Sequence, residues 1–342
     1  MTAIISKDTR PIPVTILTGG LGSGKTTLLN HIITGRSDTR FAIIENEFGE
    51  IGIDQDLIDE APGPRVMELF DGCICCTIRN DLVKALSEMY AHRDDFDALI
   101  IETTGLAEPG PVAQVLLAEP ESSEHFKLNA VVTLVDAEHV MKHIDTEEII
   151  SNQIGFADII VLNKIDRVDE KRSGAIESRL KEMNAQAEIL LSEHARIDAE
   201  AVLSADGFSI DRVLELDPGF LEPGSRAKSS DHFMGLLDRV PSYHDEISSV
   251  GIIIPGDLDE KKLEAWLTFL TMFDGEDILR IKGVLSIRGK EERFIIQGVH
   301  STLTGTPAAP WGEAVRESRI LVIGRLLDRA MLEKGFKNCL AS

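Results

Sequence analysis

Basic residues and cysteines are scarce in this chain, and long apolar runs are missing. Lys plus Arg is 35 against 58 for Asp plus Glu, a formal charge of −23 over 342 residues. A surface that acidic repels phosphate backbones, so nucleic acid is not expected as a partner, although a local basic patch stays compatible with it. No apolar run approaches the length that spans a bilayer, so no membrane association is expected. The first residues, MTAIISKDTRPIPV, lack the apolar core of a secretory signal and read as a loose lead into the first strand. Internal repeats, low-complexity tracts and a histidine-rich linker are also missing. With only 4 cysteines, a disulfide framework is a poor fit, and a reducing cytoplasm is the expected location.

What is there is an alternation of β-rich apolar runs and helical patterns. Strands are predicted at Val14–Thr18, Phe41–Glu45, Ala98–Glu102, Ala130–Asp136, Asp158–Leu162 and Glu188–Leu191. Helices are predicted at Lys25–Thr34, Asn80–Ala91, Ile149–Phe156 and Lys171–Met183. Near-continuous apolar strands with helices between them imply an α/β fold with a mostly parallel sheet covered on both faces. The pattern changes after about residue 216, where Asp217-Pro-Gly-Phe-Leu-Glu-Pro-Gly-Ser225 is turn chemistry. Residues 1–220 are expected to form a first domain, 221–245 a linker and 246–342 a smaller α+β domain. In the latter, Ser248–Ile254 reads as a strand. Asp257-Leu-Asp-Glu260 reads as a capping box for a helix to Phe269, with Trp266 and Phe269 packing one face. Arg280–Ile287 and Arg293–Val299 read as a hairpin, Ile320–Ile323 as a strand and Leu326–Phe336 as a helix.

Gly19-Gly-Leu-Gly-Ser-Gly-Lys-Thr-Thr27 matches G-x-x-x-x-G-K-[ST] between a predicted strand and a predicted helix. Gly19, Gly20, Gly22, Ser23 and Gly24 would fold backbone N–H groups around phosphate oxygens, with Thr27 closing the stretch. Lys25 would reach the β and γ phosphates and Thr26 would ligate Mg²⁺. Asn163-Lys164-Ile-Asp166 follows another strand. A carboxylate at Asp166 can accept from both N1 and N2 of guanine, a donor pair adenine lacks, so GTP is expected over ATP. Glu102-Thr-Thr-Gly105 ends a third strand. Glu102 there can hold Mg²⁺ directly or through water, and Gly105 can bring its N–H to the γ-phosphate.

Cys73, Cys75 and Cys76 lie within four residues just before a predicted helix. Cysteines this close cannot all face one ion from a regular strand, so a loop is implied. Two or three of these thiolates would suit Zn²⁺, Co²⁺ or Cu⁺, with the helix N-terminus and Arg79 lowering their pKa values. The competing readings are buried apolar cysteines or a redox pair. Glu45-Asn-Glu47-Phe-Gly-Glu50 follows the second strand. An acidic residue there could join the thiolates or the Mg²⁺ shell, or belong to a charged surface loop.

These motifs, in this order, resemble the CobW-like GTPases, a group of SIMIBI-class P-loop GTPases that includes hydrogenase and urease nickel accessory proteins. The resemblance rests on Gly19–Thr27, Glu45-Asn-Glu-Phe-Gly49, Cys73-Ile-Cys75-Cys76, Glu102-Thr-Thr-Gly105 and Asn163-Lys-Ile-Asp166. It extends to Arg280-Ile-Lys-Gly283, Gln297-Gly-Val299, Pro310-Trp311 and Ser318–Gly324. It implies GTP hydrolysis coupled to delivery of zinc or cobalt to a client metalloprotein. It also implies that Cys75 and Cys76 are direct ligands, joined in a close branch by Glu45. Slow intrinsic hydrolysis, also implied, removes the need for a strong catalytic base. Two other functions stay open: a scaffold that GTP and metal regulate without metal transfer, and a thiol-disulfide reductase. Pairing of two copies across the nucleotide is also open. His139 and His143, four apart, could share a helical face as a secondary metal site, though solvated surface histidines are the commoner outcome at that spacing. Trp311, after a proline, is expected to anchor a loop.

Overall fold

The short apolar runs become the strands of one sheet, and their alternate residues feed two cores. In the computed structural model, residues 10–36, 38–45, 65–68, 77–203, 247–273 and 277–341 are described. The first sheet contains β1 (Ile12–Gly19), β2 (Phe41–Glu45), β3 (Arg65–Glu68), β4 (Ala98–Glu102), β5 (Phe126–Asp136), β6 (Ile159–Asn163) and β7 (Glu188–Ser192). Its order is β3-β2-β4-β1-β5-β6-β7, and every pairing is parallel. Because side chains alternate along a strand, Val14 and Ile16 face one core while Leu17 faces the other. Ala42 and Ile44 join the first, Phe41 and Ile43 the second.

Helices cover both faces. On one lie α1 (Lys25–Gly35) and, later in the chain, the short helix Ala199–Leu203. On the other lie α2 (Thr77–Ala91), α3 (Pro109–Ala118), and, after α4 (Pro120–His125) and α5 (Val140–His143), α6 (Glu148–Phe156) and α7 (Glu170–Met183). Ala199–Leu203 is α8. Among the described residues no helix is long and apolar enough to cross a membrane.

The C-terminal part is an antiparallel sheet with two helices. β8 (Ile247–Pro255), α9 (Glu260–Phe273), β9 (Ile278–Leu285), β10 (Glu292–Val299), β11 (Thr302–Pro310), β12 (Glu317–Arg325) and α10 (Arg329–Asn338) give the order β11-β10-β9-β12-β8. The expected hairpin is present as β9–β10. Asp259, rather than Asp257, caps α9, accepting from the N–H of Lys261 and Lys262. Asp257 instead accepts from Ser286 Oγ and Arg316 Nε. Trp266 packs on Phe336, while Phe269, expected to face the core, is exposed. Trp311 is buried between the guanidinium groups of Arg293 and Arg316. Strands β3 and β11 and helix α3 lie outside the sequence expectations. The expected linker, the turn chemistry near 217–225, Cys73, Cys75, Cys76, and residues 46–50 lie outside the described residues.

The second sheet docks on the α2/α3/α6/α7 side, where Ile247, Leu279, Val299, Leu321 and Ile323 enter the first domain's core. A charge cluster sits in the same junction. Asp158, just before β6, accepts from Val131 N–H at 2.8 Å and Arg280 Nη2 at 3.1 Å, and pairs with Lys282. Arg280 and Lys282 are 3% and 4% exposed, and Asp158 8%. Burial pushes the Asp158 carboxyl up, but the two cations outweigh it and hold it below the ordinary range. Burial pushes Lys282 down to about 8, against the attraction of Asp158. Two buried cations share the one carboxylate of Asp158, and burial weighs most on the Lys282 ammonium.

Two outcomes follow from that imbalance. Asp158→Ala removes the carboxylate that both buried cations share and is expected to cost about 3–5 kcal/mol in urea denaturation. Lys282→Met leaves a one-to-one pair and should be neutral or stabilising. The lowered Lys282 pKa means the unfolded chain binds more protons between about pH 8 and the ordinary lysine value. Stability of the natural chain relative to Lys282→Met should therefore rise with pH across that window, and a flat difference would contradict the buried-cation account.

Candidate nucleotide and metal site

All seven strands of the first sheet run the same way, so their C-terminal ends form one edge, where open α/β sheets bind ligands. Gly19–Thr27 turns from β1 into α1 at this edge. The helix starts at Lys25 after Gly24, whose φ of 108° is left-handed backbone that disfavours any residue with a Cβ. A Cβ on Gly24 would also come within 2.6 Å of Asn163 Nδ2. No acidic residue lies in the first turn of α1, which leaves the positive end of the helix to an anion. Lys25 Nζ folds over the loop, donating to Gly19 O at 3.0 Å and Gly20 O at 3.3 Å. Ser23 Oγ is buried without a hydrogen-bond partner. Thr26 is half-buried and Thr27 exposed, while Gly22 adopts φ 68°.

Glu102 ends β4 beside this loop. Thr103 N–H donates to Leu17 O at 2.9 Å, and Thr103 Oγ1 donates to Thr18 Oγ1 at 2.8 Å in a buried pair. These bonds hold the start of the Glu102–Gly105 loop against the end of β1. A Cβ on Gly105 would fall 2.7 Å from Leu21 N, so only glycine lets this loop approach the phosphate loop so closely. Glu45 ends β2 directly opposite Glu102 in the parallel register. Adjacent strands are about 4.8 Å apart, so the two carboxylates are neighbours. On each, one oxygen (Glu45 Oε1, Glu102 Oε2) is buried and accepts no hydrogen bond, although both side chains have other interactions.

The third component comes from β6. Asn163 is buried, and its amide joins two loops: Nδ2 donates to Ser23 O at 2.8 Å, and Oδ1 accepts from Ala195 N–H at 2.8 Å. Lys164 follows in left-handed backbone at φ 63°, its ammonium 2.8 Å from Asp136 Oδ2 at the end of β5. Burial pushes the Asp136 carboxyl up. Lys164, His139 and the Glu138 N–H outweigh it and hold it below the ordinary range. Asp166 stands at the open side, with Arg167 Nε 3.9 Å away.

Residues 13–191 match the family described as CobW/HypB/UreG, nucleotide-binding domain, and 247–340 match the cobalamin synthesis protein cobW C-terminal domain. The chain belongs to the CobW/HypB/UreG family. A curated relative of this CobW/HypB/UreG chain is the zinc chaperone YjiA of Escherichia coli, 32% identical over 331 residues, covering 95% of this chain and 98% of the relative. Another is the zinc chaperone CobW of Pseudomonas aeruginosa, also 32% identical, with 96% and 92% covered. The crystal structure of zinc-bound YjiA GTPase from Escherichia coli aligns over 97% of this chain and 100% of that one, with 27% identity and a TM-score of 0.70.

The described part of the CobW/HypB/UreG site brings the phosphate loop, Glu45, Glu102, Gly105, Asn163 and Lys164 to one sheet edge. The half-buried Thr26 hydroxyl and the Glu102 carboxylate, with its buried Oε2, supply oxygen chemistry that fits a hard cation such as Mg²⁺. His139 and His143 do not converge. His139 Nδ1 lies 3.1 Å from Asp136, and His143 Nδ1 lies 2.5 Å from Glu147. Asp136, Glu138 and His139 do cluster, but the Lys164 ammonium already sits on Asp136. Sequence reasoning missed Asp136, Ala195 and the Thr18–Thr103 pair. Asp136 was signalled by its place at a strand end one turn of logic away from the others: it closes β5, as Glu45, Glu102 and Asn163 close their strands. Ala195 offers only its backbone and has no side-chain signal.

Asn163→Ala would strand Ser23 O and Ala195 N–H in a buried place. It is expected to cost about 2–6 kcal/mol in denaturation of the nucleotide-free chain, the sum for two buried groups left without a partner. A loss below about 0.5 kcal/mol would show that the bridge between the two loops is not structural.

Proposed function

We propose that this chain is a GTP-hydrolysing metallochaperone that carries zinc, or cobalt, to a client metalloprotein. The observation that carries the reading is the meeting of Gly19–Thr27, Glu45, Glu102–Gly105 and Asn163–Lys164 at one sheet edge. The zinc chaperones it resembles over nearly its whole length support the metal.

The N–H groups of Gly20, Gly22, Ser23 and Gly24 and the start of α1 would take the phosphates, with Thr27 at the rim. Lys25 would exchange its two loop carbonyls for β and γ oxygens, a swap that needs only side-chain rotation. Thr26 and Glu102 would hold Mg²⁺, which when bound neutralises charge on the phosphates. Asp166 would accept from guanine N1 and N2, and Lys164, pinned by Asp136, would lie against the base. Water attacks the γ-phosphorus, the bond to the β–γ bridging oxygen breaks, and its electron pair leaves with GDP. Gly105 N–H would face the γ-phosphate as charge develops. Glu45, with Cys75 and Cys76 and with Cys73 available as a further thiolate, would hold the cargo metal. The register of Glu45 against Glu102 supports coupling between the two metals, because a shift at one strand end strains its neighbour. Two copies pairing across the nucleotide would enclose the site further.

Lys25→Ala should lower phosphate release on the order of 100-fold or more. Asp166→Asn should weaken GTP about 10- to 100-fold, the range for losing a charged hydrogen-bond acceptor. Equal affinity of the natural chain for ATP and GTP would remove the guanine assignment. Zinc competition titrations with GDP and with a non-hydrolysable GTP analogue should differ by a factor of about 5 to 150. The difference should shrink in Glu45→Ala. Identical zinc affinities in both states would leave nucleotide and metal uncoupled, and metal that stays bound in the presence of GTP and an apo-client would favour a regulatory scaffold.

A further inference from the structure

The loop that follows Gly105 is held from behind by α6, and the same turn of α6 is held by the second domain. Gln153 is buried, and its Nε2 donates to Ala107 O at 3.0 Å and Gly105 O at 3.4 Å. Its own carbonyl accepts from Thr133 Oγ1 at 2.8 Å, which fixes that turn to β5. The preceding residue, Asn152, is also buried, and its Nδ2 donates to Glu108 Oε1 at 2.7 Å. Asn152 Oδ1 accepts from Arg325 Nη2 at 2.6 Å, and the same nitrogen reaches Glu148 Oε1 at 2.5 Å. Arg325 ends β12 in the second domain.

The loop then runs into α3, which packs on β10 and β11. Gln114 Nε2 on α3 donates to Val299 O at 3.4 Å, and His300, between β10 and β11, lies edge-on to Phe156 at the end of α6, 5.2 Å between centroids. The Gly105–Glu108 loop is thus gripped at three backbone or side-chain oxygens by two adjacent amides. One of those amides is itself oriented by a guanidinium from the other domain. An amide that donates on one side and accepts on the other cannot rotate without breaking both bonds, and burial makes each break expensive.

We infer that Arg325, Asn152 and Gln153 form a relay through which the second domain reads the state of the terminal phosphate. The inference rests on the nucleotide reading of Gly105 given above. Gln153 and Asn152 are positioning residues. Closure of Gly105 on a γ-phosphate draws Gly105 O and Ala107 O away from Gln153. The displacement passes along α6 to Arg325 and along α3 to the β10–β11 turn. Loss of the phosphate returns both oxygens to Gln153.

The test is amide hydrogen exchange on the full chain with GDP and with a non-hydrolysable GTP analogue. In the natural chain, protection should differ between the two nucleotides by at least about 5-fold, the low end of site-to-site coupling, at 103–108 and also at the end of β12. Arg325→Met removes the guanidinium at the far end of the relay. Asn152→Asp sets a carboxylate against Glu108 and cuts a different link. Both should keep the difference at 103–108 and lose it at the end of β12, where Arg325 lies. A difference at the end of β12 that survives in both variants overturns the relay, as does a natural chain that responds at 103–108 but not at the end of β12. Loss of protection throughout β12 with either nucleotide in both variants would make these contacts merely structural and overturns it too. If Gly19–Thr27 gains no protection from either nucleotide, the nucleotide reading fails, and the relay fails with it.

Discussion

Parallel pairing of seven strands is the constraint on which the rest of this structure depends. A parallel sheet requires a crossover after every strand, and each crossover returns the chain to the same starting edge. The opposite edge therefore collects the last residue of each strand. Gly19, Glu45, Glu68, Glu102, Asp136, Asn163 and Ser192 are those residues here. They are spread over more than half the chain, and they meet because register leaves them nowhere else to go. Glu45 and Glu102 are neighbours for no other reason than that β2 and β4 pair from Phe41↔Ala98 onward.

Side-chain hydrogen bonds then tie this edge together. Asn163 fastens the phosphate loop to the loop after β7, Thr18 and Thr103 fasten β1 to β4, and Asp136 fastens Lys164. Each bond is short, and each involves a group with little or no access to water, where an unmade bond is costly. The loops of the site are therefore held in place by the chain's own groups. Organisation of this kind lowers the reorganisation that binding would otherwise require.

The second domain is part of that organisation. It places apolar residues in the first domain's core and two cations around Asp158, at the end of β6 opposite Asn163. At the nucleotide edge it reaches α6 through Arg325. The two domains thus touch at both ends of the same sheet, through an apolar patch and a buried charge cluster on one side and a polar chain on the other. A change confined to one domain has a physical route into the other.

Much of this was legible in the residues. Phe41–Glu45 and Ala98–Glu102 were bounded correctly because each is an apolar run closed by one acidic residue. The phosphate loop and the Asn163–Asp166 string were readable because their chemistry is local: glycines for backbone approach, a lysine, a carboxylate. Other elements were hidden for equally local reasons. Pro109-Gly-Pro-Val112 opens α3 with residues that read as a turn, and β11 carries Gly305, Pro307 and Pro310. Arg65–Glu68 is too short to show a period. Phe269 misled because an aromatic at helical spacing ordinarily faces a core, and Asp259 took the cap because α9 begins two residues later than the box at Asp257 implied. By itself, then, the sequence determined the fold class and the phosphate-loop pattern and marked out candidate residues, since those depend on periodicity and on residue type. Which of them become neighbours depended on strand register and domain docking, and these are decided by long-range packing. The pairing of Glu45 with Glu102, of Lys164 with Asp136, of Asp158 with Arg280 and Lys282, and of Arg325 with Asn152 joins residues that local pattern could not connect. Only the tertiary structure, which sets the distance between them, could decide it.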